Sequence, residues 1–232
     1  MKIVPMLVTY LDHMGTDLTV VDAARVSMAK ESEWGTVERY TYADQDFPEV
    51  EEVLKDADVK LITYLAEHSH WTPFSHPQIS FRIKAPIFVA RQWFKHMVGI
   101  TRNEQSRRYV DEEPEFYFPD VWRGRPVGSI KQGSSGVVDG WEHAPHEVTQ
   151  HALAIYTEML EDGVAPEQAR MILPQNMMTE WVETASLAAV CRACKLRFDP
   201  HAQQETREVA EQIAEIVAPL FPVSWAALMS KE

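Results

Sequence analysis

The segment 77–84 constrains the fold most, because its apolar and polar side chains alternate strictly. Ile79, Phe81 and Ile83 fall on one side of an extended chain. The other side carries only polar residues, namely Gln78, Ser80, Arg82 and Lys84. A period of two predicts a β-strand with one buried face and one solvated face. The chain must therefore form a sheet that is covered on one side.

The segments around this strand predict an α+β fold. Pro86 has the fixed φ that suits the first position of a helix, which we expect to run to about Met97. Further helices are predicted at 17–28, with Asp17 as a possible N-cap, and at 51–68, 147–162, 166–173, 186–197 and 200–218, with a second strand at 177–184. Strands and helices do not alternate regularly. We therefore expect one α+β domain over 1–232, with a mixed or antiparallel sheet and long helices, and a mobile loop in the Gly- and Ser-rich segment 124–140.

Composition and charge limit the classes of partner. The net charge of -13, from 22 Lys and Arg against 35 Asp and Glu, argues against a nucleic-acid polymer or an anionic membrane as partner. The longest apolar run, 216–223, is far shorter than the roughly 20 residues that span a bilayer. The only two cysteines fit a reducing compartment. We therefore expect a cytoplasmic protein.

Basic residues nevertheless gather in the segment FKHMVGITRNEQSRRY, 94–109. Its second half, 103–109, is predicted to be a strand with no apolar face. Glu104, Ser106 and Arg108 then share one side and supply an acceptor, a hydroxyl and a planar cationic fork. These groups suit a phosphorylated sugar. A local cluster of this kind on an acidic chain favours a small anionic ligand.

A second informative segment is SLAAVCRACKLRFDPHAQQE, 186–205. On a helix, Arg197 falls within the apolar arc, where it either binds an anion or extends to the C-terminal carbonyls. Asp199 is expected to cap a new helix with His201 in its first turn, which leaves His201 either near a bound anion or with no such role. Cys191 and Cys194 are interpreted as core cysteines. We expect no metal site.

Several separated stretches resemble the flavin-dependent thymidylate synthases, in order and over most of the chain. They are HWTPFSHPQISFRIKAPIFVARQWFKHMVGITRNEQSRRYVDEEPEFYFP, ARMILPQNMMTEW and LRFDPHAQQE. The resemblance implies methylation of deoxyuridine monophosphate (dUMP) at carbon 5. Methylene-tetrahydrofolate would donate the carbon, and FAD reduced by NADPH would donate the hydride. It also implies a homotetramer with shared active sites and no cysteine nucleophile.

The resemblance assigns roles to individual residues. Arg197, which would face and activate the uracil, Ser106 and His70 are the implied catalytic residues. The implied dUMP-binding residues are Gln92, Glu104, Ser106, Arg107, Arg108, Arg170 and Arg197. The implied FAD-binding residues are Thr72, Lys95, His96, Met97, Glu104, Ser186, Arg192 and His201.

The flavin half departs from the family pattern. Lys95-His96-Met97 replaces the usual Arg-His-Arg, and the stretch 183–189 lacks an Asn and an Arg that contact flavin in the family. One extra residue separates His96 from Ser106, so the intervening loop is expected to be rebuilt. Arg192 or Arg102 are candidates to replace the lost charge. Three functions stay open on the sequence: thymidylate synthesis, a dUMP or dCMP hydroxymethylase, and a non-catalytic nucleotide-binding homologue.

Overall fold

The computed structural model describes residues 1–39, 49–110, 112–128 and 133–230. The strands in this part of the chain are β1 Lys2–Ile3, β2 Leu7–Met14, β3 Gly35–Arg39, β4 Glu49–Val53, β5 Gln78–Pro86, β6 Ile100–Glu104, β7 Glu115–Phe116, β8 Arg123–Gly124, β9 Ser135–Val137 and β10 Met178–Ser186. The α-helices are α1 Asp17–Arg25, α2 Asp56–Glu67, α3 Ile87–Trp93, α4 Ala144–Glu161, α5 Pro166–Ala169, α6 Leu187–Arg197, α7 Gln204–Leu220 and α8 Pro222–Met229.

The centre of the fold is a four-stranded antiparallel sheet in the order β2-β5-β10-β6. The strictly alternating segment forms β5, as predicted, and Ile79, Phe81 and Ile83 are completely buried on its inner face. On the outer face, Arg82 pairs with Glu180 of the neighbouring strand. This architecture confirms the α+β class. The two-residue strands β1 and β7 add a small parallel pair.

Helices cover the inner face of the sheet. The apolar stripe of α7, which includes Val209, Ile213 and Val217, is buried in the same core as the inward side chains of β5 and β10. A smaller apolar cluster surrounds Phe116 and Tyr156, between α4 and the segment before β10. None of the described helices has the length and apolar character needed to cross a membrane.

Four predicted element boundaries are wrong by about one helical turn or more. The helix expected to run from Pro86 to about Met97 covers only Ile87–Trp93, with Pro86 as its N-cap. The strand expected over 103–109 stops at Glu104, because the chain turns and the Tyr109 N–H donates to the Ser106 carbonyl. The helix expected over 51–68 begins only at Asp56, because the preceding residues form β4 and pair with β3. The helix expected from 200 begins at Gln204, which removes His201 from its first turn.

The predicted loop 124–140 is described only in part, since residues 129–132 lie outside the described residues. Its described part includes β9, which pairs antiparallel with β8. The mobility of the loop and the single-domain boundary at 1–232 stay predictions.

The sequence suggested Asp17 as a possible N-cap of α1, but Asp17 does not cap this helix. Thr16 is the N-cap of α1 and exchanges hydrogen bonds with Thr19. The buried Asp17 carboxylate instead accepts the N–H groups of Val223 and Ser224, each at 2.9 Å, at the start of α8. A negative charge beside a helix N-terminus is stabilising. Asp17 therefore holds the last helix against the first.

We expect Asp17→Ala to lower the free energy of unfolding by about 2–3 kcal/mol, because two buried N–H groups lose a charged acceptor. Urea denaturation measures this. Asp56→Asn is the matched control, since Asp56 is an exposed acid in the first turn of α2. Equal stabilities for the two variants would contradict the assignment.

Candidate active site

A large cavity brings together Gln92, Arg197 and His201, three of the predicted site residues. Its volume is about 1020 Å³. Gln92 comes from α3, Arg197 from the last turn of α6, and His201 from the loop before α7. Aromatic side chains line another part of the wall, among them Phe88, Tyr117, Phe118, Trp122 and Trp141. A cavity with apolar walls and a few convergent polar groups is the usual form of a small-molecule site.

Arg197 is held at this wall by neutral partners. Its Nε donates to His96 Nε2 at 3.1 Å, and its terminal nitrogen lies 3.4 Å from the Gln92 carbonyl oxygen. Within the described residues no carboxylate forms an ion pair with Arg197. Partial burial lowers the pKa of Arg197 below its ordinary value, but a guanidinium stays charged at neutral pH. Arg197 is therefore a cation at the cavity wall that has no salt-bridge partner among the described residues.

His96 is buried and neutral at physiological pH. Burial, and then the positive charges of Arg197, Arg102 and Arg192, lower its pKa from 6.5 to about 4. Because Nε2 accepts from Arg197, the ring proton must lie on Nδ1. His96 thus orients Arg197 without adding a second positive charge.

His201 is exposed and lies in a tight turn. The Asp199 carboxylate accepts its backbone N–H at 2.7 Å and lies 2.9 Å from its Nδ1. This local side-chain bond competes with a helical start, which explains why α7 begins later than predicted. The structure still places His201 at the wall of the larger cavity.

A second cavity of about 420 Å³ contains three further predicted residues, His70, Ser186 and Arg192. Ser186 is the N-cap of α6, and its hydroxyl accepts the Ala189 N–H. Lys195 also lines this cavity, so the wall carries two cations and a helix N-terminus. These groups suit the diphosphate of a flavin dinucleotide.

Gly99 allows the loop between α3 and β6 to approach α6. Its φ is +78°, and an added Cβ would lie 2.9 Å from Ser186 Oγ and 3.1 Å from Ala189 Cβ. Arg192 donates to the Val98 carbonyl at 2.6 Å and ties the same loop to the helix. Of the two candidates for a replacement flavin cation, Arg192 is thus the one at a cavity wall.

Arg102, the other candidate, is used internally. Its Nε pairs with Glu183 at 2.5 Å, and the two side chains are 13% and 1% exposed. The indole N–H groups of Trp93 and Trp181 also donate to Glu183. This buried polar cluster lies on the inner face of the sheet, and it was not predicted from the sequence. Its one signal was an acidic residue at an inward position of a buried strand.

The other predicted dUMP-binding residues lie apart from both cavities. Ser106 and Arg108 share the exposed turn after β6, where Arg108 Nε donates to Ser106 Oγ at 3.2 Å. Glu104 is exposed and accepts from Thr179 at 2.7 Å. Arg107 donates to the Glu112 carbonyl, and Arg170 is exposed. None of the five lines either cavity of the described chain.

The remaining flavin candidates are surface residues. Lys95 and Thr72 are exposed, and Met97 is 73% exposed. None of them lines either of these two cavities. Their assignment to flavin therefore stays a prediction.

Cys191 and Cys194 belong to the core, as predicted. Both are free thiols and buried, and burial raises the pKa of each above its ordinary value. A thiol in this state is a poor nucleophile. Among the described residues, no group of three or more His, Cys, Asp or Glu could hold a metal ion.

The sequence reading also missed a row of polar groups behind Gln92. Gln203, Glu205 and Arg123 line the larger cavity and are connected to Gln92 by hydrogen bonds. Gln203 and Glu205 lie in the quoted HAQQE stretch, where only His201 was selected. Nothing local marked Arg123, which meets Glu205 across 82 residues of sequence.

The low pKa of His96 predicts a pH-dependent stability. The unfolded chain takes up a proton at His96 as pH falls from 6.5 towards about 4, while the folded protein does not. The contribution of His96 to the free energy of unfolding is therefore present above pH 6.5 and is lost as the pH falls through this window. His96→Gln keeps an acceptor for Arg197 but does not titrate. Urea denaturation at several pH values should show the wild type losing stability relative to the variant; parallel curves would contradict the buried neutral state.

Comparison with known proteins identifies the family of the chain. The family model described as thymidylate synthase complementing protein matches residues 9–223. The flavin-dependent thymidylate synthase of Thermus thermophilus is 39% identical over 95% of this chain and 74% of its own length. That of Thermosipho africanus is 36% identical over 94% and 89%.

Among solved structures, the UMP/dUMP methylase PolB from Streptomyces cacaoi, bound with 5-Br dUMP, superposes with a TM-score of 0.79. The two chains are 28% identical, and the match covers 97% of this chain and 95% of that one. Such a match over nearly the whole length supports a shared fold. The chain belongs to the flavin-dependent thymidylate synthase family.

Proposed function

We propose that the protein converts dUMP to thymidylate, with methylene-tetrahydrofolate as carbon donor and NADPH-reduced FAD as hydride source. Family membership supports the reaction and its cofactors. The single structural observation that carries the proposal is Arg197, a half-buried cation that faces a cavity and has only neutral partners. Such a group is ready to bind a ligand that carries or develops negative charge.

Arg197 and Gln92 are the residues that we assign to the base. Carbon 5 of uracil becomes nucleophilic as negative charge develops on the ring, and Arg197 would stabilise that charge. His96 keeps the guanidinium oriented because it accepts from Nε and stays neutral. An interaction that strengthens in the transition state raises turnover more than it raises affinity.

We assign FAD to the smaller cavity, where Ser186 and Arg192 would hold its diphosphate beside His70. When bound, FAD supplies the hydride that completes the methyl group. Thr72, Lys95, His96, Met97, Glu104 and His201 are the further FAD contacts that the family resemblance suggests.

We infer a homotetramer with shared active sites. The phosphate candidates Ser106, Arg107, Arg108 and Arg170 line neither cavity of their own chain, so a second copy would have to bring them to Arg197. Ser106 and Arg108 follow β6, the edge strand of the sheet, where a neighbouring subunit can approach. A cytoplasmic location stays a prediction from composition.

We expect Arg197→Ala to lower product formation by at least about a hundredfold and to leave bound flavin nearly unchanged. Mass spectrometry of the nucleotide distinguishes methyl from hydroxymethyl product, and flavin absorbance reports the cofactor. Arg82→Ala is the control, because Arg82 forms an ion pair on the outer face of the sheet. A hydroxymethyl product from the wild type would overturn thymidylate synthesis, and full activity of Arg197→Ala would overturn the role of Arg197.

The phosphate assignment predicts a different response. Arg108→Ala and Arg170→Ala should each weaken dUMP binding about tenfold to a hundredfold, the equivalent of one charged hydrogen bond. Calorimetric titration measures this, and light scattering of the same samples reports the assembly. A monomer at micromolar concentration that binds dUMP normally would contradict the shared site.

A further inference from the structure

We propose that Glu205 and Arg123 are positioning residues that fix the direction of the Gln92 side-chain amide and so make the site prefer uracil over cytosine. The inference rests on the proposed function, since it concerns the same nucleotide site. It arises from a continuous row of hydrogen bonds along the wall of the larger cavity.

The row begins at a buried ion pair. Arg123 donates to one carboxylate oxygen of Glu205, and the two side chains are 18% and 5% exposed. The other carboxylate oxygen accepts from Gln203 Nε2 at 2.9 Å. Gln203 Oε1 in turn accepts from Gln92 Nε2. Three hydrogen bonds thus connect Arg123 to Gln92.

The chemistry of Glu205 gives this row a single direction. An ionised carboxylate only accepts hydrogen bonds, so Gln203 must turn its NH₂ group towards Glu205. The carbonyl oxygen of Gln203 then faces Gln92, which must donate a hydrogen bond from its own NH₂ group. The orientation of both amides follows from the network rather than from their shape, which is nearly symmetric.

The direction determines what Gln92 offers a ligand. Its Oε1 lies 3.5 Å from the hydroxyl of Thr206, which is completely buried and does not line the cavity. The second N–H of Gln92 remains for a ligand. A donor pairs with the carbonyl oxygen at position 4 of uracil but not with the amino group that cytosine carries there. An unmatched polar pair is costly, and this gives the row its selectivity.

Arg123 holds the Glu205 carboxylate, which sets this direction, in place. It lies in β8 and also donates to Ser134 Oγ at 2.9 Å. An added Cβ at Gly133, which precedes Ser134, would lie 3.2 Å from the His201 carbonyl oxygen. The β8–β9 hairpin therefore packs against the loop that leads to Gln203. Through Arg123 the hairpin completes the polar wall of the cavity.

Binding of two nucleotides by one set of variants tests the proposal. Glu205→Gln adds an N–H donor at the start of the row, so the direction is no longer imposed. Arg123→Gln removes the cation from the partly exposed end, and Arg123→Lys retains it. Glu208→Gln is the matched control, because Glu208 lies one turn further along α7 and bonds Gln204 instead. Calorimetry gives dissociation constants for dUMP and dCMP, flavin absorbance reports the cofactor, and thermal unfolding reports the fold.

We expect the wild type, Glu208→Gln and Arg123→Lys to prefer dUMP by about tenfold or more, the equivalent of one hydrogen bond. In Glu205→Gln the two dissociation constants should differ by about threefold or less, chiefly because dUMP binds more weakly. Arg123→Gln should fall in the same direction, with flavin retained.

Two results would overturn this inference and leave the proposed function intact. One is an unchanged preference in Glu205→Gln and Arg123→Gln. The other is an equal loss of affinity for both nucleotides together with a lower unfolding temperature, which indicates a purely structural role. A wild-type protein that binds neither nucleotide would overturn the proposed function, and this inference with it.

Discussion

The pairing of β5 with β10 is the interaction on which the rest of the structure depends. Nine residues of each strand are in antiparallel register, from Gln78 opposite Ser186 to Pro86 opposite Met178. Each strand leads directly into a helix, β5 into α3 and β10 into α6. Because the strands are antiparallel, the two helices begin at opposite ends of the pair, about 27 Å apart at 3.4 Å per residue.

The helices then return towards each other over the sheet. At 1.5 Å per residue, α3 and α6 together cover about 27 Å, which matches the separation of their starting points. Their C-terminal ends consequently meet, with Arg197 of α6 3.1 Å from His96 just beyond α3. A one-residue slip in the register would turn Ile83 outwards and separate the groups that we assign to the base.

A buried charge lies on the inner face of this sheet. Glu183 is stabilised by Arg102 and two indole N–H groups. A buried acid is tolerated only with such partners, because an unpaired charge costs several kcal/mol. This explains why Arg102 is not at a cavity wall.

The sequence predicted the elements whose pattern is long and regular. Strict alternation identified β5, and Pro86 marked the start of the helix that carries Gln92. Sequence failed where a short-range hydrogen bond outweighs periodicity, as at Asp199, whose carboxylate holds His201 in a turn and delays α7. Family resemblance selected Gln92 and Arg197, which the structure brings to one cavity. The resemblance could not select Arg123, because the contact between Arg123 and Glu205 depends on tertiary packing alone.

We assign the pyrimidine base of the substrate to the space between Arg197 and Gln92. A crystal structure of the protein with dUMP and FAD tests this assignment most directly. We predict that the uracil ring lies within about 3 Å of the Arg197 guanidinium, and that the phosphate lies beside Ser106 and Arg108 of a neighbouring subunit. A nucleotide bound outside the larger cavity, or an Arg197 that makes no contact with the base, would contradict it.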